Sequence, residues 1–372
     1  MSDTLRLGVL GCGVISDTYL TRAGEFEGLE VIACADIDQK RAQAQASRYS
    51  VKALDPEALI ASPDIDLVIN LTPPTAHATI GRAVLAAGKH LYAEKPLGVT
   101  LEEGRELVAA AAAAGRRIGC APDTFLGGGH QNARRLVDQG AIGRPVAGTI
   151  AFMNHGMEDW HPNPTFFYQP GGGPVLDIGP YYVTALVNLI GPVRRVCAFA
   201  ARAFEERIVT AEPRYVERVP VEVQTHVAGT LEFACGAIVT VTVTWDVWAE
   251  RPYQLNLNGT EGSLLLPDPN FFGGATAISR KGSPFELVEP QGLAYAKANR
   301  PTRRGIEVAD YRIIGVVDMA RAIQEGRPHR CSGELALHVL EVLTALERSA
   351  QEGAAVPIET PCSRPEALTA GF

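Results

Sequence analysis

The 372-residue sequence has no long apolar run and no excess of basic residues. Because a membrane-spanning helix needs about 18 or more consecutive apolar residues, no segment is expected to cross a bilayer. The formal net charge of -8 leaves no basic footprint for a phosphate backbone, so we expect no nucleic-acid partner. A strand-like run begins by Leu5 without the basic and apolar regions of a secretory signal, which favours a cytoplasmic protein.

Paired cysteines and metal-ligand spacings are also lacking. The seven cysteines are scattered without a CxxC spacing, and their odd number is typical of reduced thiols that pack as small apolar side chains. The eight histidines show no spacing typical of a metal site. We therefore expect reduced cysteines and no bound metal.

The order of elements predicts two domains of the α/β class. Apolar strand-like runs alternate with helix-like stretches over residues 1–122, which is typical of a doubly wound parallel sheet. Residues 123–362 predict an open, mostly antiparallel sheet with helices on one face, including helices over residues 307–325 and 333–351. Residues 363–372 are expected to form a loose tail. Since such a sheet leaves one face uncovered, we expect a homodimer or homotetramer formed through it.

A glycine-rich turn follows the first strand at once, with the sequence Gly11-Cys12-Gly13-Val14-Ile15-Ser16. This GxGxxS pattern is close to the dinucleotide-binding fingerprint. The first glycine permits the tight turn, the second lets the backbone approach a pyrophosphate, and the small third residue lets the helix pack against the strand. The turn therefore predicts a dinucleotide site.

The second strand ends at Asp36, whose carboxylate would accept hydrogen bonds from the adenosine ribose and repel a 2′-phosphate. This position favours NAD over NADP. The alternative is that Asp36 caps the following helix, a role that Asp38 would fill equally well.

Two further strand ends carry candidate cofactor residues, because ligands of parallel sheets bind beyond the carboxyl ends of the strands. The loop with Thr72, Pro73 and Pro74 is expected to form a wall beside the nicotinamide. His77, in the same loop, is interpreted as a residue at the start of a helix near the cofactor rather than as a catalyst.

The second of these strand ends is Glu94-Lys95-Pro96, which closes an apolar run. By itself the charged pair is typical of a solvated strand end. Its place between the glycine-rich turn and the reactive side chains of the second half suggests more. Lys95 is expected to face the reacting carbon of a sugar-like substrate beside the nicotinamide, with Glu94 contributing to the cofactor site.

The loop over residues 154–164 is polar, aromatic and rich in proline, and it follows a strand. Aromatic faces stack on the C–H surfaces of sugars, and histidine and asparagine hydrogen-bond their hydroxyls. We expect substrate contacts from Asn154, His155, Trp160 and His161. A purely structural Ω-type loop is the alternative.

A glycine triplet, residues 171–173, leads into a helix start that carries Asp177 and Tyr181. Residues spaced i and i+4 share one helical face, so these two side chains are candidates for the substrate and catalytic site. Asp177 as a helix N-cap is the alternative, although it does not account for the tyrosine.

Taken together, these motifs resemble the Gfo/Idh/MocA oxidoreductase family over nearly the full length of the chain. The resemblance is carried by the glycine-rich turn, Asp36, Glu94-Lys95-Pro96, Gly171-Gly172-Gly173 with Asp177-Ile178-Gly179, and Gly259-Thr260-Glu261-Gly262. It implies an N-terminal Rossmann domain and a C-terminal α/β domain whose sheet often forms the oligomer contact. It also implies oxidation or reduction of a sugar, cyclitol or related hydroxyl compound, with Lys95 and Asp177 in active-site positions.

One position departs from the common pattern of the family. Many members have histidine four residues after the motif aspartate, where this chain has Tyr181. The variant is similar to the branch that contains glucose–fructose oxidoreductase, dihydrodiol dehydrogenase and some pentose dehydrogenases. That branch often uses NADP, against which Asp36 argues here.

Chemistry follows from the residues themselves. Hydride removal from an alcohol requires a base for the hydroxyl proton, and tyrosine becomes a useful base when a nearby ammonium lowers its pKa from about 10. In this interpretation Tyr181 is the acid/base, Lys95 lowers its pKa and polarises the substrate oxygen, and Asp177 positions a hydroxyl or Lys95. Lys95 as the direct proton acceptor is the alternative assignment.

Three functions are compatible with this set of residues. The first is an NAD-dependent dehydrogenase acting on a sugar or polyol. The second is an NAD-assisted glycosidase or lyase that oxidises its substrate transiently, and the third is a non-catalytic NAD-binding sensor. Accumulation of NADH distinguishes the first from the second, and the presence of Lys95, Asp177 and Tyr181 argues against the third.

Overall fold

The computed structural model describes residues 4–248, 254–302 and 305–368, and the chain divides into two compact units. The first unit comprises the chain up to Asp123 together with Tyr311–Leu337. The second comprises Thr124–Asp310 and the chain from His338 onward. The sequence suggests one boundary near residue 122, whereas the backbone crosses between the units three times.

The first unit is built on a parallel sheet of six strands. They are β1 (Leu5–Leu10), β2 (Leu29–Ala35), β3 (Lys52–Leu54), β4 (Leu67–Asn70), β5 (His90–Ala93) and β6 (Ile118–Cys120). Their order is β3-β2-β1-β4-β5-β6, and every neighbouring pair is parallel. The order reverses between β1 and β4, which is the point at which doubly wound sheets bind ligands. The expected parallel sheet is confirmed.

Helices connect these strands, and local sequence sets their starts. They are α1 (Ser16–Ala23), α2 (Gln39–Tyr49), α3 (Pro56–Ala61), α4 (Pro74–Ala86) and α5 (Leu101–Ala113). The segment Tyr311–Leu337, by which the chain returns to this unit (the returning segment), adds α8 (Ile314–Glu325). Asp38 caps α2 by accepting a hydrogen bond from the Lys40 N–H at 3.0 Å. Thr100 caps α5 in the same way through the Glu103 N–H at 3.2 Å.

The predicted start of α8 is wrong by about two turns. The sequence pattern predicts a helix from Glu307, but the structure begins the helix at Ile314. Residues Glu307–Val308 form strand β18 instead, paired antiparallel with strand β17 (Arg300–Pro301). Strand pairing with residues outside the periodic segment therefore overrides the helical pattern.

The second unit is built on a nine-stranded sheet. Its strands are β7 (Pro145–Met153), β8 (Val193–Ala201), β11 (His226–Phe233), β12 (Ile238–Thr244), β13 (Gln254–Gly259), β14 (Gly262–Leu265), β15 (Thr276–Arg280), β16 (Glu286–Val288) and β19 (Val356–Pro357). The order is β16-β15-β14-β13-β7-β12-β11-β8-β19, antiparallel except for the central pair β7 and β12. A separate ribbon pairs β9 (Glu206–Ile208) with β10 (Arg218–Pro220). The expected mostly antiparallel sheet is confirmed.

In the described part of this unit, three α-helices lie wholly or partly within it: α6 (Gly128–Asp138), α7 (Gly173–Ile190) and α9 (Gly333–Glu352). The sequence indicates only the start of α7, whereas the structure gives it 18 residues. A helix that is apolar on every side is typical of a protein core. Accordingly α7 packs against β7, β11 and β12.

The opposite face of this sheet carries exposed apolar side chains. Phe199, Ile238, Leu265 and Leu287 are exposed. The strand registers place all four on one face, because residues paired across neighbouring strands point to the same side. The face of the sheet opposite α7 therefore carries exposed apolar side chains on β8, β12, β14 and β16.

The final described residues are anchored, unlike the loose tail that the sequence suggests. Arg134 donates to the Pro365 carbonyl at 2.9 Å, and the Leu368 N–H donates to Gln131 at 2.8 Å. Residues beyond 368 lie outside the described part of the chain. Among the described helices none is long and apolar enough to cross a membrane. All seven cysteines are free.

Candidate functional site

The glycine-rich turn has the backbone geometry that its sequence predicts. Gly11 has φ of +102°, and a Cβ there would lie 2.7 Å from the Leu71 carbonyl carbon, so only glycine fits. A Cβ at Gly13 would meet nothing within 4 Å, so the space above the turn is open. Ser16 closes the turn by donating from its hydroxyl to the Gly13 carbonyl at 2.6 Å.

Asp36 lies at this turn. Its Oδ2 accepts from the Cys12 N–H at 2.7 Å and its Oδ1 from the Asp38 N–H at 2.9 Å. The N-cap of α2 is Asp38, not Asp36. The carboxylate is thus held beside the glycine-rich turn, where it can reach the ribose of a dinucleotide.

The residues present fit a dinucleotide. Val14 is 65% exposed beside the open turn. In the described part of the chain, no protein acceptor engages the N–H groups of Gly13, Val14 and Ile15. Free N–H groups at the start of a helix are suited to a phosphate. These groups would hold the pyrophosphate and Asp36 the ribose.

A second loop is fixed by a residue that the sequence did not single out. Asn70, the buried last residue of β4, accepts through Oδ1 from the Thr72 N–H at 3.2 Å and from the Thr72 hydroxyl at 2.7 Å. Pro73 precedes α4, and Pro74 is its first residue. The only sequence signal for this role is an amide that ends an apolar strand.

His77 lies inside α4 and is buried. Its Nδ1 is 2.7 Å from the Pro96 carbonyl oxygen, and its Nε2 is 2.8 Å from the Thr72 carbonyl oxygen. Both ring nitrogens therefore face the protein backbone.

The Glu94-Lys95 pair follows β5 at the carboxyl ends of the strands, as the glycine-rich turn follows β1 and the Thr72 loop follows β4. Glu94 accepts through Oε1 from the Tyr19 hydroxyl at 2.8 Å and through Oε2 from the Lys95 N–H at 3.1 Å. Burial, and then the negative charge of Glu94, raises the pKa of Tyr19 well above its ordinary value. The Glu94 carboxylate thus fixes the backbone of Lys95, although the sequence suggested a cofactor contact. Tyr19 was not identified from the sequence.

The glycine-rich turn and the Glu94-Lys95 pair therefore lie at one edge of the sheet, the edge formed by the carboxyl ends of its strands. The Gly11 N–H donates to the carbonyl of Ala35, at the end of β2, at 2.8 Å. The Glu94 N–H donates to the carbonyl of Asn70, at the end of β4, at 2.9 Å. Lys95 is half-buried at this same edge.

In the second unit, α7 carries Asp177 and Tyr181. The N-cap of this helix is Gly172 and Asp177 is its fifth residue, so the capping alternative for Asp177 is excluded. Every other residue of this fully described helix is buried. A single accessible carboxylate on an otherwise buried apolar helix is typical of a functional residue. Lys95 belongs to the other unit, and its pairing with Asp177 and Tyr181 stays a prediction.

The loop over residues 154–164 is fixed by a buried ionic cluster. Arg207 is 3.1 Å from Glu158 and 2.5 Å from Asp246. The Tyr168 hydroxyl also donates to Glu158. Burial, and then the charge of Glu158, raises the pKa of Tyr168. These buried residues escaped the sequence argument because they are far apart in the chain.

Of the four substrate residues predicted in this loop, His155 and Trp160 present aromatic surface. The His155 ring stacks on Trp248, with centroids 3.5 Å apart and an interplanar angle of 21°. Trp248 is 77% exposed and Trp160 is 41% exposed. Burial and the charge of Arg207 lower the pKa of His155. Trp248 was not identified from the sequence.

The other two predicted residues have local structural contacts. Asn154 accepts from the Gly156 N–H at 3.1 Å, which closes a turn. His161 accepts at Nδ1 from the Asn163 N–H at 3.1 Å and lies edge-on to Phe167. The loop therefore combines a structural framework with exposed aromatic groups.

The class of protein is indicated by the parallel sheet, the glycine-rich turn and Asp36. It is a protein with a dinucleotide-binding domain, followed here by a second unit with a large mixed sheet. Comparison with known families agrees. Residues 5–121 match the oxidoreductase family with an NAD-binding Rossmann fold, and residues 130–265 match the GFO/IDH/MocA C-terminal domain. The chain belongs to the GFO/IDH/MocA oxidoreductase family. The resemblance inferred from the motifs and the NAD-binding domain are both confirmed.

Individual relatives are distant. The chain is 30% identical over 178 residues to 1,5-anhydro-D-fructose reductase of Ensifer adhaerens. The matched residues are 46% of this chain and only about half, 53%, of that relative. It is 27% identical over 360 residues to D-xylose 1-dehydrogenase (NADP(+)) 2 of Haloferax volcanii, which covers 95% and 98% of the two chains. A structure of levoglucosan dehydrogenase with NADH and levoglucosan has a TM-score of 0.82 at 22% identity, covering 96% and 100%, and shows a shared fold.

Proposed function

We propose that the protein is an NAD-dependent oxidoreductase that moves a hydride between the nicotinamide and a hydroxyl or carbonyl carbon of a sugar, polyol or cyclitol. The observation that supports this proposal is that the glycine-rich turn, Asp36 and Lys95 all lie at the carboxyl ends of strands in the same sheet. A dinucleotide site and an amine suited to polarising an oxygen thus belong to one rigid framework.

The substrate class rests on the names of the relatives. Those given above are a reductase of an anhydro sugar and dehydrogenases of xylose and levoglucosan. None is named as a glycosidase or lyase, so the alternative of an NAD-assisted glycosidase gains no support from them.

The site residues have separate tasks in this reaction. When bound, the nicotinamide supplies the hydride acceptor or donor. Tyr181 as its phenolate takes the proton of the substrate hydroxyl and becomes the neutral phenol. Lys95 stabilises the phenolate before this transfer and polarises the substrate oxygen, and Asp177 hydrogen-bonds a hydroxyl.

The substrate surface is proposed to include the aromatic groups of the second unit. Trp160 and His155 are the predicted residues with accessible rings, and the exposed Trp248 extends the His155 stack. Trp160→Ala and His161→Ala are expected to raise KM with little change in NAD affinity. If every accepted substrate keeps its wild-type KM in both variants, the loop is structural only.

The central experiment is a screen of pentoses, hexoses, anhydro sugars and cyclitols for NADH formation. At least one class should give turnover, and Lys95→Met should lower kcat by two or more orders of magnitude, as lost acid–base and electrostatic assistance predicts. NAD affinity, measured by fluorescence titration, should be retained in this variant. Tight NAD binding without turnover of any compound would favour the sensor alternative.

We further propose that the chain assembles as a homodimer or homotetramer through the sheet face that carries Phe199, Ile238, Leu265 and Leu287. Their exposure on a single face is the supporting observation. Sedimentation analysis of the wild type and of Ile238→Asp tests this. A monomeric wild-type protein would contradict the proposal.

A further inference from the structure

The buried ring of His77 lies between the Thr72 loop and the loop after β5, near the carboxyl ends of β4 and β5. Only 1% of the residue is exposed, and its two nitrogens lie 2.7 Å and 2.8 Å from the carbonyl oxygens of Pro96 and Thr72. Carbonyl oxygens can only accept hydrogen bonds. Each of these contacts therefore requires an N–H on the histidine.

A neutral imidazole carries only one N–H. Burial lowers the pKa of His77, so the neutral ring predominates near pH 7. Pro96 is buried and Thr72 is half-buried. In the described part of the chain no other protein donor reaches either carbonyl, but the half-buried Thr72 is partly accessible to water whereas Pro96 is not. Because a buried acceptor without a donor is costly, the proton belongs on Nδ1, facing Pro96.

This hydrogen bond acts on the residue immediately after Lys95. On the other side, Glu94 accepts from the Lys95 N–H at 3.1 Å and is itself held by Tyr19 at 2.8 Å. The backbone around Lys95 is therefore fixed from both directions. The charged groups facing the histidine are Glu94 and Lys95.

We propose that His77 is a positioning residue that fixes the direction of Lys95 by donating from Nδ1 to the Pro96 carbonyl. This inference rests on the proposed function of Lys95. Both ring nitrogens face backbone carbonyls, so His77 acts through the backbone and not by contact with the cofactor.

Two amide substitutions separate the two contacts of the ring. His77→Asn places an amide N–H near the position of Nδ1 and keeps a donor for Pro96. His77→Gln places one near the position of Nε2 and keeps a donor for Thr72. Because misplacement of a catalytic group by about 1 Å can cost around 100-fold, His77→Gln should lower kcat at least about tenfold. His77→Asn should stay within about threefold, with NAD affinity retained in both.

A double-mutant cycle tests whether the effect passes through Lys95. In a Lys95→Met background, His77→Gln should cause no further loss of kcat, since groups that act as a unit are not additive. Equal losses in His77→Asn and His77→Gln, or a full additional loss in the double variant, would overturn the proposal.

A second readout does not depend on turnover. The sequence has six lysines, at positions 40, 52, 89, 95, 281 and 297. Reductive ¹³C-methylation therefore gives few NMR signals, and Lys95→Met assigns the signal of Lys95. His77→Gln should shift this signal and its titration, and His77→Asn should leave both near the wild type. An unchanged Lys95 signal in His77→Gln refutes the positioning role, whereas absence of NADH formation by the wild type would count only against the proposed function.

Discussion

Asp123 is expected to make the first unit less stable as the pH rises from about 4 to about 7. Its side chain is buried, and its Oδ2 accepts from the N–H groups of Ile313 and Gly315, each at 3.0 Å. Burial raises the pKa of Asp123 from 3.8 to about 6, and the two N–H groups and Arg312 offset only part of that effect. The folded protein thus binds a proton that the unfolded chain has already released.

The magnitude follows from the difference between the two pKa values. A rise from 3.8 to about 6 corresponds to about 3 kcal/mol at 1.36 kcal/mol per unit. Because the folded-state pKa is the higher one, this cost is absent below pH 4 and complete above pH 6. Asp123→Asn keeps an acceptor oxygen but carries no charge. Its stability relative to the wild type should therefore increase by about 2–3 kcal/mol between about pH 4 and about pH 7.

The comparison across pH is more informative than either value alone, since an unpaired amide N–H adds a constant offset. Urea unfolding is carried out without cofactor and monitored by hydrogen exchange of peptides around residues 118–123, which report on the first unit. Asp64→Asn, the same substitution at an exposed position, is the matched control. A stability difference between Asp123→Asn and the wild type that is constant across this pH range would refute the reasoning.

Three other substitutions test the remaining features. Arg207→Met should destabilise the second unit by roughly 3–5 kcal/mol in thermal unfolding, because Glu158 and Asp246 would be left as buried, uncompensated carboxylates; an unchanged Tm contradicts this. Asp36→Ser should narrow the preference for NAD over NADP in fluorescence titrations, and tighter NADP binding by the wild type would argue against the ribose role. Tyr181→Phe should lower kcat about 100-fold or more, and a near-normal rate would leave Lys95 as the proton carrier.

Much of the first unit could be predicted from sequence because its information is local. The glycine-rich turn and Asp36 are short motifs next to apolar strands, and the structure places them together. The starts of α2 and α5 are likewise capped by adjacent residues, Asp38 and Thr100. The start of α8 could not be found in this way, because the pairing of β17 with β18 depends on tertiary structure.

The parts that sequence could not supply depend on partners far apart in the chain. Arg207 meets Glu158 and Asp246 from 49 and 39 residues away. His77 reaches Pro96 across 19 residues. No periodic pattern or short motif records such contacts, since each side chain alone is compatible with an exposed surface position. The role of Asp177 lies between these cases, because its motif is local but its accessibility within a buried helix is not.

The returning segment has a consequence for how the protein is made. The edge strand β6 is covered by this segment, through the bridge between Gly119 and Ser332 and the hydrogen bond from the Cys120 N–H to the Cys331 carbonyl at 3.1 Å. On a ribosome adding roughly 5–20 residues per second, about 200 further residues, or roughly 10–40 s, separate the synthesis of β6 from that of its cover. During that interval the nascent sheet presents an open edge that can pair with other chains. Expression of the first 123 residues alone would make that exposure permanent.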